Sequence, residues 1–156
     1  MPLFLRYALM GVVVIAAQWL VLGRLRLWGA YPDAVLLYVV WLALRFGRFT
    51  GMLGGFGVGL VMDALYGTWG IQAFTKTLLG FLVGLFPAED RASLTIRPQQ
   101  VFVGGLFAAL LHNGLQVVFY ALQAGTRNTF MIFSLWLGAA IYTAAVGTIA
   151  ALFMEK

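Results

Sequence analysis

Two charged side chains sit well inside the apolar stretches of this chain, Asp63 and Lys76, and His112 is a third titratable group at similar depth. A charge in the hydrocarbon of a bilayer costs about 3 kcal/mol or more, so each of these groups needs a partner or a purpose. Asp63 lies one helical turn before Gly67. In a tight antiparallel hairpin it would reach the depth of Gln72 and Lys76 on the next helix. An Asp63–Lys76 ion pair would then cancel both charges and pin the hairpin. The sharper alternative is an ion or proton site, but one pair makes no pathway across a membrane. A third option is that Asp63 meets a polar group on a partner's helix.

His112, Asn113 and Gln116 form a second polar group, with His112 and Gln116 four apart on one helix face. A lone His without a nearby acid is a poor proton relay. Interhelical hydrogen bonds are the expected role, worth about 0.6 kcal/mol each. Gln18, Gln72, Thr75 and Thr77 are candidates for the same role. The chain carries no HExxH, Walker loop or GxSxG motif, and no paired His/Cys/Asp cluster. It has no cysteine, which excludes disulfides and thiolate metal sites. Neither catalysis nor a cofactor is expected.

The elements that position these groups carry their own pattern. Gly47, Gly51, Gly55, Gly59, Asp63 and Gly67 fall on one four-residue step. In a water-soluble helix each glycine would cost about 1 kcal/mol relative to Ala. In a membrane, small residues four apart let two backbones approach closely. Four residues advance about 400°, so the stripe drifts about 40° per step and about 160° from Gly51 to Gly67. Its two halves are expected to touch different helices, or one helix crossing right-handedly. The inner half, Gly47 to Gly55, is expected to be the freer for a partner helix. Gly80 and Gly84 form a second such pair, expected to pack inside the bundle.

The chain is 63% hydrophobic and 10% charged, against about 25% charged in a soluble domain. It reads as an all-α polytopic membrane protein, a single transmembrane domain over residues 1–156. Six spans are expected: Leu3–Gly23, Pro32–Leu44, Phe49–Tyr66, Ile71–Phe86, Val101–Gln123 and Phe130–Met154. The second is short, and a re-entrant segment there would leave five; Arg45 would extend it by snorkelling. Arg6 and the apolar run behind it resemble a signal peptide, but GRLRLWG follows rather than a cleavage site, so an uncleaved first span is expected. Pro32 and Asp33 suit the first turn of the second span.

The net charge of +5 comes from bases scattered singly at helix ends, which points to topology and lipid headgroups rather than nucleic acid. Arg6, Arg45, Arg48, Arg91, Arg97 and Lys156 fall on one side of the six-span arrangement, and Arg24, Arg26 and Arg127 on the other. That bias puts both termini in the cytoplasm. Trp28, Tyr31, Tyr66 and Trp69 then form an aromatic belt at the outer interface. The one longer connection is expected at residues 87–100.

The segment YPDAVLLYVVWLALRFGRFTGMLGGFGVGLVMDALYGTWGIQAF, residues 31–74, resembles the bacterial rod shape-determining protein MreD family. The features that carry the resemblance are Pro32, Gly51, the Gly55-Phe56-x-x-Gly59 run, Asp63 and Gly67. They cover under a third of the chain. The resemblance implies a non-enzymatic scaffold of the cell-wall elongation complex in the bacterial inner membrane. Its implied partners are MreC, through a transmembrane helix, and also RodA, its partner transpeptidase and the filament protein MreB. In this reading Gly51, Gly55, Gly59 and Gly67 admit the partner helix. The family also looks like the six-helix S subunits of energy-coupling-factor transporters. That likeness implies the alternative, a substrate-binding subunit of a vitamin-type transporter. A polar pocket lined by Asp63, Gln72 and Lys76 would go with it.

Overall fold

In a bilayer a single chain segment satisfies its own backbone hydrogen bonds only as a helix, and each apolar stretch of this chain folds as one. The computed structural model describes residues 3–86, 97–124 and 129–154. Helix α1 spans Leu3–Leu20, α2 Ala34–Phe46, α3 Arg48–Tyr66, α4 Ile71–Gly84 and α5 Pro98–Ala124. The last rod comprises α6, Thr129–Met131, a π-helical segment, Ile132–Gly138, and α7, Ala139–Met154. Among the described residues there is no strand. The expected connection at 87–100 falls largely outside them, as do Arg91, Arg127 and Lys156.

The boundaries have local causes. The second span, expected at Pro32–Leu44, is a helix over Ala34–Phe46 because the Asp33 side chain caps it, accepting from the Leu36 N–H at 2.8 Å. A single residue, Gly47 at φ 86°, separates α2 from α3. Gly67 closes α3 in the left-handed region at φ 67°, its N–H donating to the Asp63 carbonyl at 2.7 Å.

Among the described residues, four apolar stretches are long enough to cross a membrane: Leu5–Arg24, Arg48–Tyr66, Pro98–Gln123 and Ile132–Phe153. Helices α2 and α4, of 13 and 14 residues, are about 20 and 21 Å long. Each is shorter than the roughly 30 Å hydrocarbon layer. They occupy the interior. Val35, Leu36, Val39 and Ala43 of α2 and Thr75, Lys76 and Leu79 of α4 are all but inaccessible. The long helices stand around them, exposing Val12 and Val13 of α1, Phe49 of α3, Phe107 of α5 and Phe153 of α7. The apolar core joins Leu36, Leu79, Ala108, Ala109 and Ala140, one side chain or more from each of α2, α4, α5 and α7.

The most extensive helix contact is between α3 and α4, and the glycine stripe makes it. A β-carbon on Gly59 would stand 2.5 Å from the Ala73 Cα. One on Gly55 would strike the Lys76 carbonyl, and one on Gly51 would lie 2.6 Å from the Gly80 carbonyl oxygen. Gly84 meets the Arg48 backbone in the same antiparallel register. One neighbour therefore follows the stripe from its inner end to Gly59, with Ala43 of α2 also closing on Gly51. This corrects the expectation that the inner half is free for a partner. Helix α4 brings Gly80 and Gly84 of its own, so the two backbones close over the stripe with no side chain between them.

Candidate functional site

The polar residues of the spans converge at the end of the bundle that carries the α1–α2 and α3–α4 turns. Lys76 is at the centre. Its side chain is wholly buried, and its ammonium has three acceptors: Asp33 Oδ2 at 2.8 Å, Gln72 Oε1 at 2.7 Å and His112 Nε2 at 3.2 Å. An ammonium has three N–H groups, so this set is complete. Because His112 Nε2 accepts from Lys76, its Nδ1 carries the proton and donates to Asn113 Oδ1 at 3.0 Å. That orients the Asn113 amide, with its NH2 group turned away from the histidine.

The expected Asp63–Lys76 pair is corrected by this geometry. Lys76 pairs with Asp33, and Asp63 binds backbone. Asp63 Oδ1 accepts from the Gln72 N–H at 3.0 Å, and Oδ2 accepts from the Ala73 N–H at 2.8 Å. The Thr68 hydroxyl also donates to Asp63 Oδ1. The cause is the start of α4. Its N-cap residue is Gly70, which has no side chain to satisfy the first N–H groups. The carboxylate of Asp63 supplies the missing acceptor and complements the helix dipole.

Asp33 is the functional residue that sequence reasoning placed only as a helix start. It does two jobs: Oδ1 caps α2 and Oδ2 neutralises Lys76. Its position is locked from two sides. Its own N–H donates to the Thr143 hydroxyl of α7 at 3.0 Å. Gln18 of α1 grips the residues around it, donating to the Pro32 carbonyl and accepting from the Ala34 N–H, both at 2.8 Å. A signal for the Asp33–Lys76 pair exists in the sequence. Helices α2 and α4 run the same way in an alternating bundle, so their starts share one end.

His112, Asn113 and Gln116 are all buried. His112 faces α4, with Thr75 Oγ1 3.3 Å from Nε2. Asn113 and Gln116 line a small cavity with Tyr31, Asp33, Tyr120 and Leu135. The space inside is about 20 Å³, enough for one water-sized group. Asn113 Nδ2 and Gln116 Nε2 have no hydrogen-bond partner among the described residues. Leu135 belongs to the π-helical segment, where a widened turn displaces the wall residues from α-helical positions. That segment is anchored by Trp136 Nε1 donating to the Leu110 carbonyl at 2.9 Å and by the Ser134 hydroxyl donating to the Trp28 carbonyl at 2.6 Å. Burial and the neighbouring Asp33 carboxylate raise the Tyr31 phenol above its ordinary range, so it remains a protonated donor. Among the described residues no cluster of His, Asp or Glu could hold a metal ion.

Comparison with known families, curated proteins and solved structures gives no match to this chain.

Proposed function

We propose that this chain is a non-enzymatic membrane scaffold of the MreD type, holding the single transmembrane helix of MreC in the bacterial inner membrane. One observation supports the reading. The proline, the glycines and the aspartate that carry the MreD resemblance each have a job in a single α2–α3–α4 unit. Pro32 and Asp33 open α2, while Gly51, Gly55 and Gly59 seat α3 on α4. Asp63 caps α4 and Gly67 ends α3. The motif is thus the internal frame of the scaffold. The partner helix docks on the opposite, outward side of α3. There Phe49, Leu53, Phe56 and Leu60 are each more than half exposed, and a β-carbon on Gly57 would meet open space. The ionisable groups support a structural role, because Lys76 gives all its donors to Asp33, Gln72 and His112.

Cysteine crosslinking tests this in a chain with no native cysteine. Phe56→Cys and Leu60→Cys are expected to crosslink to a cysteine in the MreC helix, and Phe107→Cys on α5 is not. Crosslinks from Phe107→Cys alone, or none from α3, would overturn the reading. The transporter-subunit alternative calls for a pocket of about 300 Å³ or more around its ligand. The cavity beside Asp33, at about 20 Å³, is far below that.

A further inference from the structure

The cavity beside Asp33 holds a chemical asymmetry that the scaffold role does not use. Two amide groups, Asn113 Nδ2 and Gln116 Nε2, are buried without a partner among the described residues. An unsatisfied buried donor costs about 1–3 kcal/mol. Both residues are over nine-tenths buried and both line the same space. Asp33 lines the same space. Among the described residues its two carboxylate oxygens each have one partner, Leu36 N–H and Lys76 Nζ, and a carboxylate accepts about four hydrogen bonds. The lining therefore combines two unpartnered donors with a carboxylate that has acceptor capacity left. An anion would be repelled by Asp33, and a cation would face two N–H donors. A neutral hydroxyl suits both kinds of group, accepting from the amides and donating to the carboxylate. The aromatic rings of Tyr31 and Tyr120 border the same space, and such faces suit the C–H groups of a polyol.

We propose that this cavity is a receptor for one hydroxyl of a neutral polyol moiety, inserted from the end of the bundle and held by Asn113, Gln116 and Asp33. The moiety is either a free polyol or the glycerol headgroup of a lipid. The site is independent of the scaffold reading, and either stands if the other fails.

The test uses the side-chain amide NMR signals of the ¹⁵N-labelled full chain in nanodiscs. The chain has two asparagines and six glutamines, so the signals are few, and Asn128→Ser and Gln116→Leu assign them. Glycerol is titrated in phosphatidylcholine nanodiscs, with ethylene glycol dimethyl ether as a probe that accepts but cannot donate. A second sample is made in phosphatidylglycerol nanodiscs. Saturable shifts of Asn113 and Gln116 with glycerol, and not with the ether, establish a free polyol as occupant. The same shifts present in phosphatidylglycerol without added glycerol establish the lipid headgroup. Shifts that rise linearly with glycerol, match those caused by the ether, or are absent in both lipids overturn the proposal and leave the cavity to water alone.

Discussion

At the scale of single residues, the buried lysine sets the energetics. A pair such as Asp33–Lys76 gives little net stability over apolar side chains of the same volume, but removing one partner strands the other and costs about 3–5 kcal/mol. Lys76→Met is therefore expected to lower the melting temperature in detergent sharply. Adding Asp33→Asn, which keeps a good helix cap, is expected to recover part of that loss. The same cycle run with Asp63→Asn separates the two pairings. Asp63 and Lys76 share no hydrogen bond in this structure, although both bind Gln72, so their coupling is expected to be clearly weaker than that of Asp33 with Lys76. Strong coupling between them would restore the hairpin pair. The sequence makes Lys76 conspicuous but leaves its partner open. Asp33 and Asp63 both lie near the right end of the bundle, and only the demand of the α4 amides decides which is free.

At the scale of elements, the glycine positions divide into filled and open sides of α3. Gly51, Gly55 and Gly59 face α4 at backbone contact, while Gly57 faces open space. Gly55→Ala must push the Lys76 backbone away and is expected to cost about 1–3 kcal/mol, as overpacking does. Gly57→Ala adds a methyl group where nothing stands and is expected to gain up to about 1 kcal/mol of helix propensity. Thermal unfolding of the two variants side by side checks this, and equal effects would mean that α4 does not cover the stripe. The four-residue step was legible as a sign of close packing. Which helix fills it was not, because Gly80 and Gly84 on α4 read equally well as a contact with any other span. The π-helical segment left no signal in the apolar run Ile132–Gly138, since side-chain hydropathy is blind to one extra residue per turn.

At the scale of the whole molecule, two short helices sit inside a ring of long ones. Helices α2 and α4 are too short to cover the hydrocarbon layer alone, and burial removes that requirement. Trp28 and Trp69, in the two turns at one end, are about nine-tenths exposed, as interfacial anchors should be. If both termini are cytoplasmic, Trp28→Cys and Trp69→Cys will react with a membrane-impermeant maleimide added outside intact cells. Leu85→Cys, at the far end of α4, will react only after permeabilisation. The reverse pattern would invert the topology. Composition and the spacing of apolar runs were enough to specify a helical membrane bundle and to place its six helical stretches within a few residues, because a long continuous apolar run in lipid satisfies its backbone hydrogen bonds as a helix. Polar residue types alone marked the buried groups. The pairing of Asp33 with Lys76, the use of Asp63 as a cap and the amide-lined cavity were decided by the tertiary structure. Each depends on the relative position and rotation of helices distant in sequence, which hydropathy does not encode.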